Sequence, residues 1–450
     1  MRTVALISAV LGSAFLAATA RAQANGTAGN ADTDAVATIA ETERFAPTSR
    51  PTVPEPQRPP LSTKDNVDTG KPPHEWQRAT DDWFGLRPWL DDRGVTFQAS
   101  LTADTSWVAS GGADVGDTAF RHLLSVNLTL NTERLIGWKG GTVFFSCQTQ
   151  SGANGSASVG SVQGISNIDA EGLTQISELW YEQSLWDGMV RIKAGKVDAG
   201  AEFARVENGA EFINSSMGFS PTIVGFSSYP DPATSVNVFV NPMPWLYGGF
   251  GVYDGATAVG IPTGPRGPST FFGPPGAAFL IGETGVKWGS ELRGRLGLGV
   301  WRHTSDFDRF DGGTKSGTTG FYLVLDQTIW RRNPKDADDA QGIALFAQYG
   351  SADERISPVA YHVGVGLAWT GPIPSRQTDV LGLGTTYVRL SDEPGAGFDQ
   401  RDELAVEMFY KLQVLKWLSV KLDFQYVHNP GGLREIRDAL VATLRVQADL

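Results

Sequence analysis

The chain has 450 residues, 53 of them glycine, a single cysteine and a formal net charge of −12 at pH 7. An acidic chain lacks the basic surface that nucleic-acid binding needs. One cysteine allows neither an intramolecular disulfide nor a cysteine-based metal cluster. Five scattered histidines give no pair at ligand spacing, so the sequence predicts no metal and no other cofactor.

Residues 1–24 are predicted to be a cleaved signal peptide. A basic start precedes an apolar stretch over residues 4–18, and small residues then recur at the spacing that a signal peptidase reads. Cleavage can follow Ala20, Ala22 or Ala24. The alternative is an N-terminal membrane anchor, but the stretch is shorter than the ~20 residues that a spanning helix needs. The sequence therefore favours export.

Residues 25–80 are predicted to be a disordered linker rich in Pro, Ala and Thr. Its prolines have no periodic apolar partners, so the segment cannot bury enough surface to fold. A functional alternative is a periplasmic spacer that contacts peptidoglycan or a partner. No binding motif supports that alternative.

From residue 81 to residue 450 the sequence predicts one all-β domain, a transmembrane antiparallel β-barrel of about 16 strands. Apolar and polar residues alternate in short segments, and no mature segment is apolar for the ~18 residues of a helical span. Arg445 and other charged residues on the polar faces exclude a dry core there and fit a water-filled lumen. The segments begin near residues 94, 120, 141, 173, 188, 233, 246, 279, 291, 319, 342, 360, 378, 402, 416 and 437.

Tryptophans fall near many of the predicted strand ends, as in the aromatic girdles of outer-membrane barrels. A soluble β-sandwich or propeller also contains tryptophan, so this pattern alone decides little. The residues are Trp107, Trp138, Trp180, Trp186, Trp245, Trp288, Trp301, Trp330, Trp369 and Trp417.

Catalytic signatures are absent from the sequence, which contains no HExxH, Walker or GxSxG motif. A secreted glycan-binding or glycan-hydrolysing β-protein is the rival interpretation, with Glu178 and Glu182 on one face of a strand. Same-face residues four positions apart lie ~13 Å apart along a strand, too far for either carboxylate mechanism. We therefore predict that the protein is not an enzyme.

A central block resembles the carbohydrate-selective outer-membrane porins of the OprB family. It reads ELWYEQ at 178–183, RIKAGKVD at 191–198, EFINSS at 211–216, SPT at 220–222 and YPDP at 229–232. Further similar pieces are WFGLR at 83–87, LIGWKGG at 135–141, YDG at 253–255 and YVHNPGG at 426–432. The chain departs from the family in its long linker and in ending on Leu450 instead of phenylalanine. Residues 260–275 resemble an elongated extracellular loop.

The resemblance implies a porin in the outer membrane of a Gram-negative bacterium, passing mono- and small oligosaccharides through a polar constriction. Its partners would be small carbohydrates and outer-membrane lipid, and it would be a monomer or a homotrimer. Solutes must bind such a constriction well enough to enter and weakly enough to leave. The alternative function is a non-selective porin or a channel for other small solutes or ions.

Parity along the strands predicts which residues face the sugar path. Lys196 and Asp198 are included through the resemblance, and they break the alternation, which predicts a bulge or a strand end there. These residues either select sugars or merely solvate the lumen. The predicted lining consists of Glu178, Trp180, Glu182, Arg191, Lys193, Lys196, Asp198, Arg293, Arg295 and Trp301.

Overall fold

The computed structural model describes residues 74–336 and 339–450. The predicted signal peptide and most of the predicted linker lie outside the described residues, so the boundaries at residues 24 and 80 stay predictions. No helix within the described ranges is long and apolar enough to cross a membrane.

The described chain contains sixteen antiparallel strands, four short α-helices and four short 3-10 helices. The α-helices are α1 (Leu86–Asp92), α2 (Thr132–Ile136), α3 (Gly155–Val159) and α4 (Ser215–Gly218). The strands are β1 (Val95–Gly112), β2 (Thr118–Asn131), β3 (Gly141–Gly152), β4 (Leu173–Leu185), β5 (Val190–Val197), β6 (Ala233–Met243), β7 (Leu246–Asp254), β8 (Ala278–Trp288), β9 (Gly294–Asp308), β10 (Thr314–Arg331), β11 (Gly342–Ser351), β12 (Val359–Thr370), β13 (Val380–Leu390), β14 (Asp402–Leu415), β15 (Leu418–His428) and β16 (Arg437–Asp449).

The strands form one closed barrel, because each pairs with its neighbours in sequence and β1 pairs with β16. The closing register sets Ser100 opposite Asp449 and Trp107 opposite Ala442. Closure gives every strand a partner on both sides, which is what a spanning sheet requires in lipid. The predicted barrel of sixteen strands is confirmed. The largest error in a strand start is at β10, which was predicted near residue 319 and begins at Thr314.

Side chains alternate between a lipid-facing apolar surface and a lumen-facing surface. On β15, Leu422 is 53 % exposed on the outside, whereas its neighbour Asp423 is 1 % exposed on the inside. The same alternation continues on β16, where Leu444 is exposed and Arg445 is buried. The apolar exposed face is therefore the membrane surface of the barrel.

The two ends of the barrel differ in the length of their connections. One end has two-residue turns at 244–245 and 416–417, and the other has the long loops 153–172, 198–232 and 255–277. Outer-membrane barrels have short periplasmic turns and longer extracellular loops, so the short-turn end is periplasmic. A tryptophan girdle lies at this end: Trp138, Trp186, Trp245, Trp288, Trp330, Trp369 and Trp417. Trp180 and Trp301 do not belong to a girdle, because both side chains face inward.

The lumen contains a buried aromatic cluster, which the alternation along the strands did not predict. Phe212 packs edge-on against Phe346 and Phe409, with ring centroids 5.3 and 5.0 Å apart. Phe212 belongs to residues 198–232, here called the inward loop, which folds from the extracellular end into the barrel. Residues 153–172, here called the second loop, also fold inward. The apolar side chains of these loops supply partners for aromatics on the wall.

Candidate functional site

The inward loop crosses the lumen and contacts strands on several sides of the barrel. Its root leaves β5 at residue 198, and its main chain then approaches β8, β10 and β14 in turn. Three wall carboxylates accept hydrogen bonds from its main-chain N–H groups: Glu283 from Ala204 (2.9 Å), Asp326 from Asn208 (2.8 Å), and Glu407 from Ile213 (2.7 Å) and Asn214 (3.0 Å). The main chain of the loop is thereby hydrogen-bonded to three strands of the wall.

Two of the predicted lining residues hold the root of this loop instead of facing open lumen. Asp198 accepts hydrogen bonds from the Ser228 hydroxyl (2.7 Å) and from the main-chain N–H of Gly200 (2.9 Å). Glu178 accepts from the main-chain N–H of Asp198 at 3.3 Å. Both carboxylates are buried. Their prediction as pore-facing residues is corrected because these loop contacts cover them.

Lys196 is also buried, and it anchors the loop between β7 and β8. Its Nζ donates to the main-chain carbonyls of Ile176 (2.7 Å) and Gly264. β5 ends at Val197, which is the strand end that the broken alternation predicted. The Lys196 ammonium group therefore binds main-chain carbonyls inside the protein and does not line the passage.

Four charged side chains meet between β4, β5 and the start of the inward loop. Arg191 Nη1 lies 2.7 Å from Glu182 Oε2, and Arg191 Nη2 lies 3.4 Å from Glu202 Oε2. Lys193 Nζ is 3.3 Å from Glu182 and also contacts Glu202. Burial would raise the pKa of Glu202, but the charges of Lys193 and Arg191 outweigh it and lower that pKa. Three members of the predicted set therefore meet around the Glu202 carboxylate of the inward loop: Glu182, Arg191 and Lys193.

Trp180 forms an aromatic pair beside these charges. Its ring stacks with Phe144 of β3, with centroids 4.9 Å apart, and Lys193 Nζ lies 3.9 Å from the Trp180 centroid. Trp180 Nε1 donates to Glu178 at 3.2 Å. Phe144 was missed by sequence reasoning, although it lies directly opposite Trp180 in the β3–β4 register.

The two arginines predicted on one strand occupy different environments. Arg295 faces inward, with Nη2 3.0 Å from Asp326, Nη1 3.7 Å from Glu283, and a further hydrogen bond to the Arg205 carbonyl. Arg293 precedes β9 and lies exposed in the periplasmic turn. Its inward placement is corrected, because the alternation that suggested it begins only at Gly294.

Trp301 faces inward as parity predicted, but it is 2 % exposed within the aromatic cluster. Its ring lies 6.4 Å from that of Phe279. The inward loop covers this part of the wall, so the predicted sugar-facing position of Trp301 is corrected to a packing position.

Sequence reasoning also missed a charged group on the inward loop itself. Glu211 forms ion pairs with Lys411 and with Lys421, the latter at 3.3 Å. Burial would raise the pKa of Glu211, but the two lysines outweigh it and hold the pKa at about 2. The EFINSS motif begins with this residue, which is the one sequence signal that pointed to it.

The second loop is fixed to β2, β14 and β16. Arg445 of β16 donates to the Asn167 side chain of this loop at 2.7 Å, and Arg121 of β2 lies 2.6 Å from its Asp169. Glu403 accepts from the main-chain N–H of Val162 at 3.0 Å. Within the described ranges, no group of three or more His, Cys, Asp or Glu residues could hold a metal ion.

Comparison with known proteins places these features in a family. Residues 117–450 match the model of the carbohydrate-selective porin family OprB. Porin B of Pseudomonas aeruginosa is 24 % identical over 416 residues, covering 81 % of this chain and 90 % of Porin B. The putative porin QuiX of Acinetobacter baylyi is 24 % identical over 425 residues, covering 81 % and 91 %. The high-pH structure of Pseudomonas putida OprB shares the fold, with a TM-score of 0.75 at 21 % identity, covering 84 % of this chain and 99 % of that chain.

Proposed function

Because the chain belongs to the carbohydrate-selective porin family OprB of the Gram-negative outer membrane, we propose that mono- and small oligosaccharides diffuse passively past its inward loop. The observation that carries this proposal is the pairing of opposite charges along the periplasmic side of the loop. Arg191 pairs with Glu182 and Glu202, and Glu211 pairs with Lys411. A solute that passes here meets both signs of charge within a few ångströms.

Such a lining suits a neutral, hydroxyl-rich solute. Arginine offers several donors in a rigid fork, and the paired carboxylates accept hydrogen bonds from hydroxyls. A sugar can therefore exchange its water for side chains of either kind without bringing a charge into the lumen. The Phe144–Trp180 pair lies next to this group and offers an apolar surface for the ring face of a sugar.

A channel for ions of one sign would instead carry a ring of like charges. The paired arrangement favours sugar passage over that alternative, and it leaves a non-selective porin as the competing outcome. Because the barrel closes within one chain, we propose that each protomer contains a complete passage, whether the protein is a monomer or a homotrimer. Light scattering of the detergent-solubilised protein separates these two states.

The test is the swelling rate of proteoliposomes in sugars and in charged solutes of matched size. We expect faster entry of mono- and disaccharides than of the charged solutes. Arg191→Gln should slow sugar entry, while Arg293→Gln, in the exposed turn, serves as the matched control and should leave it unchanged. Equal entry of sugars and charged solutes would instead identify a non-selective porin.

A further inference from the structure

The inward loop is attached to the wall through its main chain as well as through the side chains of Glu202 and Glu211. We propose that Glu283, Asp326 and Glu407 are positioning residues that set how far this loop reaches into the lumen. Each carboxylate accepts at least one main-chain N–H of the loop at 2.7–3.0 Å. These wall carboxylates would then set the depth of the loop and, with it, the width of the passage.

The location of the three carboxylates supports this role. They lie on β8, β10 and β14, so they hold the loop at three separated points around the barrel. All three side chains are buried. A buried carboxylate needs hydrogen-bond donors to compensate for lost water, and bonds to an ionised acceptor are stronger than neutral ones.

At these points Asn208 and Asn214 also donate from their side chains, to the Leu345 carbonyl and the Gln425 side chain, whereas the other two loop residues offer only their main chain. Ala204 and Ile213 have no polar side chain, so only their backbone can make the contacts. Ala204 has a φ of 58°, in the left-handed region that alanine rarely adopts. Such a conformation persists where surrounding contacts over-determine it. Here those contacts include Glu283 and the packing of Phe203 against Phe239, with centroids 5.5 Å apart.

Glu407 offers the sharpest test among the three. Glu283 and Asp326 share Arg295, so their substitution also disturbs an ion pair. Glu407 instead directs Oε1 to the N–H of Ile213 and Oε2 to the N–H of Asn214. Two successive loop residues therefore depend on one side chain.

The experiment compares Glu407→Leu, which removes both acceptor oxygens, with Glu407→Gln, which keeps one. Asp379→Asn is the matched control, because Asp379 is a buried carboxylate that also accepts a main-chain N–H, from Gln413 at 2.9 Å, and it binds Arg376 in the periplasmic turn instead of the inward loop. The readouts are small-ion conductance in planar bilayers, block of that conductance by glucose, and tryptic cleavage after Arg205 of the loop in the folded, heat-modifiable protein.

We expect Glu407→Leu to raise ion conductance, lose glucose block and become cleavable after Arg205. Glu407→Gln should partly restore the wild-type behaviour, and Asp379→Asn should match wild type. Folded Glu407→Leu with wild-type conductance and wild-type resistance to cleavage would overturn the proposal, as would an equal effect of Asp379→Asn. If Glu407→Leu yields no folded barrel, Asp326→Ala makes the same test at the Asn208 contact.

The glucose readout rests on the proposed function, whereas conductance and cleavage do not. A wild-type channel that glucose fails to block would count against sugar selectivity alone. Conductance and cleavage would still decide whether the carboxylates position the loop.

Discussion

Arg87 donates from Nη2 to the main-chain carbonyl oxygen of Leu450 across 3.0 Å, so a residue ahead of the first strand holds the last residue of the chain. The Arg87 side chain is buried, and its guanidinium carbon lies 4.2 Å from the Trp83 ring centroid. Leu450 in turn donates its N–H to the carbonyl of Ala99 at 2.8 Å. The junction between β1 and β16 is therefore stabilised by hydrogen bonds in addition to the backbone pairing of these two strands. These contacts use the main chain of Leu450, so they do not depend on its side chain.

The first prediction is that Arg87→Met destabilises the barrel. Methionine keeps much of the apolar stem but removes the donors to Leu450. A hydrogen bond from a charged group contributes about 1.5–3 kcal/mol, so we expect a loss of that size in the free energy of unfolding. The measurement is urea unfolding in lipid vesicles, followed by the heat-modifiable gel band. Arg93→Met is the matched control, because Arg93 stacks on Trp89 at 3.9 Å away from the chain terminus. Equal destabilisation by both variants would contradict a specific role for the Arg87 contact.

The barrel could be predicted from the sequence because apolar and polar residues alternate with a period of two along each strand. Lipid on one side and lumen on the other force the alternation, as on β15, where Leu422 and Asp423 face opposite ways. Turns add a second signal through glycine, proline and aspartate. Arg293 shows the limit of parity: extending an alternation one residue beyond the strand gave a wrong inward position.

The site could be predicted only in part, because long loops have no period. The apolar residues Phe203 and Phe212 in the inward loop are buried by the wall, and nothing in their spacing indicates which strands cover them. Glu178 and Trp301 do face inward, as parity predicted. Parity cannot tell an open lumen from one filled by a loop, so their burial under the inward loop was missed.

The second prediction concerns aromatic rings that lie over inward-facing glycines on neighbouring strands. A Cβ built on Gly299 would lie 1.9 Å from the Tyr322 ring, whereas one on Gly282, on the lipid face of β8, would meet nothing nearer than 3.7 Å. Gly299→Ala must therefore displace Tyr322, which donates its hydroxyl to Glu283 at 2.9 Å. Overpacking of this kind costs about 1–3 kcal/mol. We expect that loss for Gly299→Ala and little change for Gly282→Ala in the same unfolding assay. The idea fails if the two variants unfold alike.

The third prediction is a pH dependence that comes from Glu211. Its pKa falls from 4.5 in the unfolded chain to about 2 in the fold, so its pairing with Lys411 and Lys421 is complete above pH 4.5. The pairing is lost as the pH falls through about 2. The Glu211 side chain is 35 % exposed, so solvent screening keeps the contribution of its ion pairs to the free energy of unfolding small. Ion selectivity is therefore the better measurement.

We expect wild-type ion selectivity to hold from pH 7 to about pH 4 and to move toward anions as the pH approaches 2, because the two lysines then lose their counter-charge. Glu211→Gln should show the shift toward anions already at pH 7, with a weaker acid transition. Reversal potentials in planar bilayers under a salt gradient measure both. A Glu211→Gln channel with wild-type selectivity at every pH would place this group outside the ion path.

The last prediction separates the two arginines that sequence parity had grouped together. Arg295 lies between Asp326 and Glu283, and its loss leaves two buried carboxylates without their shared cation. Breaking a buried pair by removing one partner costs about 3–5 kcal/mol. Arg293 is exposed in the periplasmic turn, where a surface substitution costs little. We therefore expect Arg295→Gln to lower the free energy of unfolding by that amount and to shift ion preference toward cations. Arg293→Gln should resemble wild type in urea unfolding and in reversal potential. If Arg293→Gln alters selectivity as much as Arg295→Gln does, the periplasmic turn and not the inward wall carries the effect.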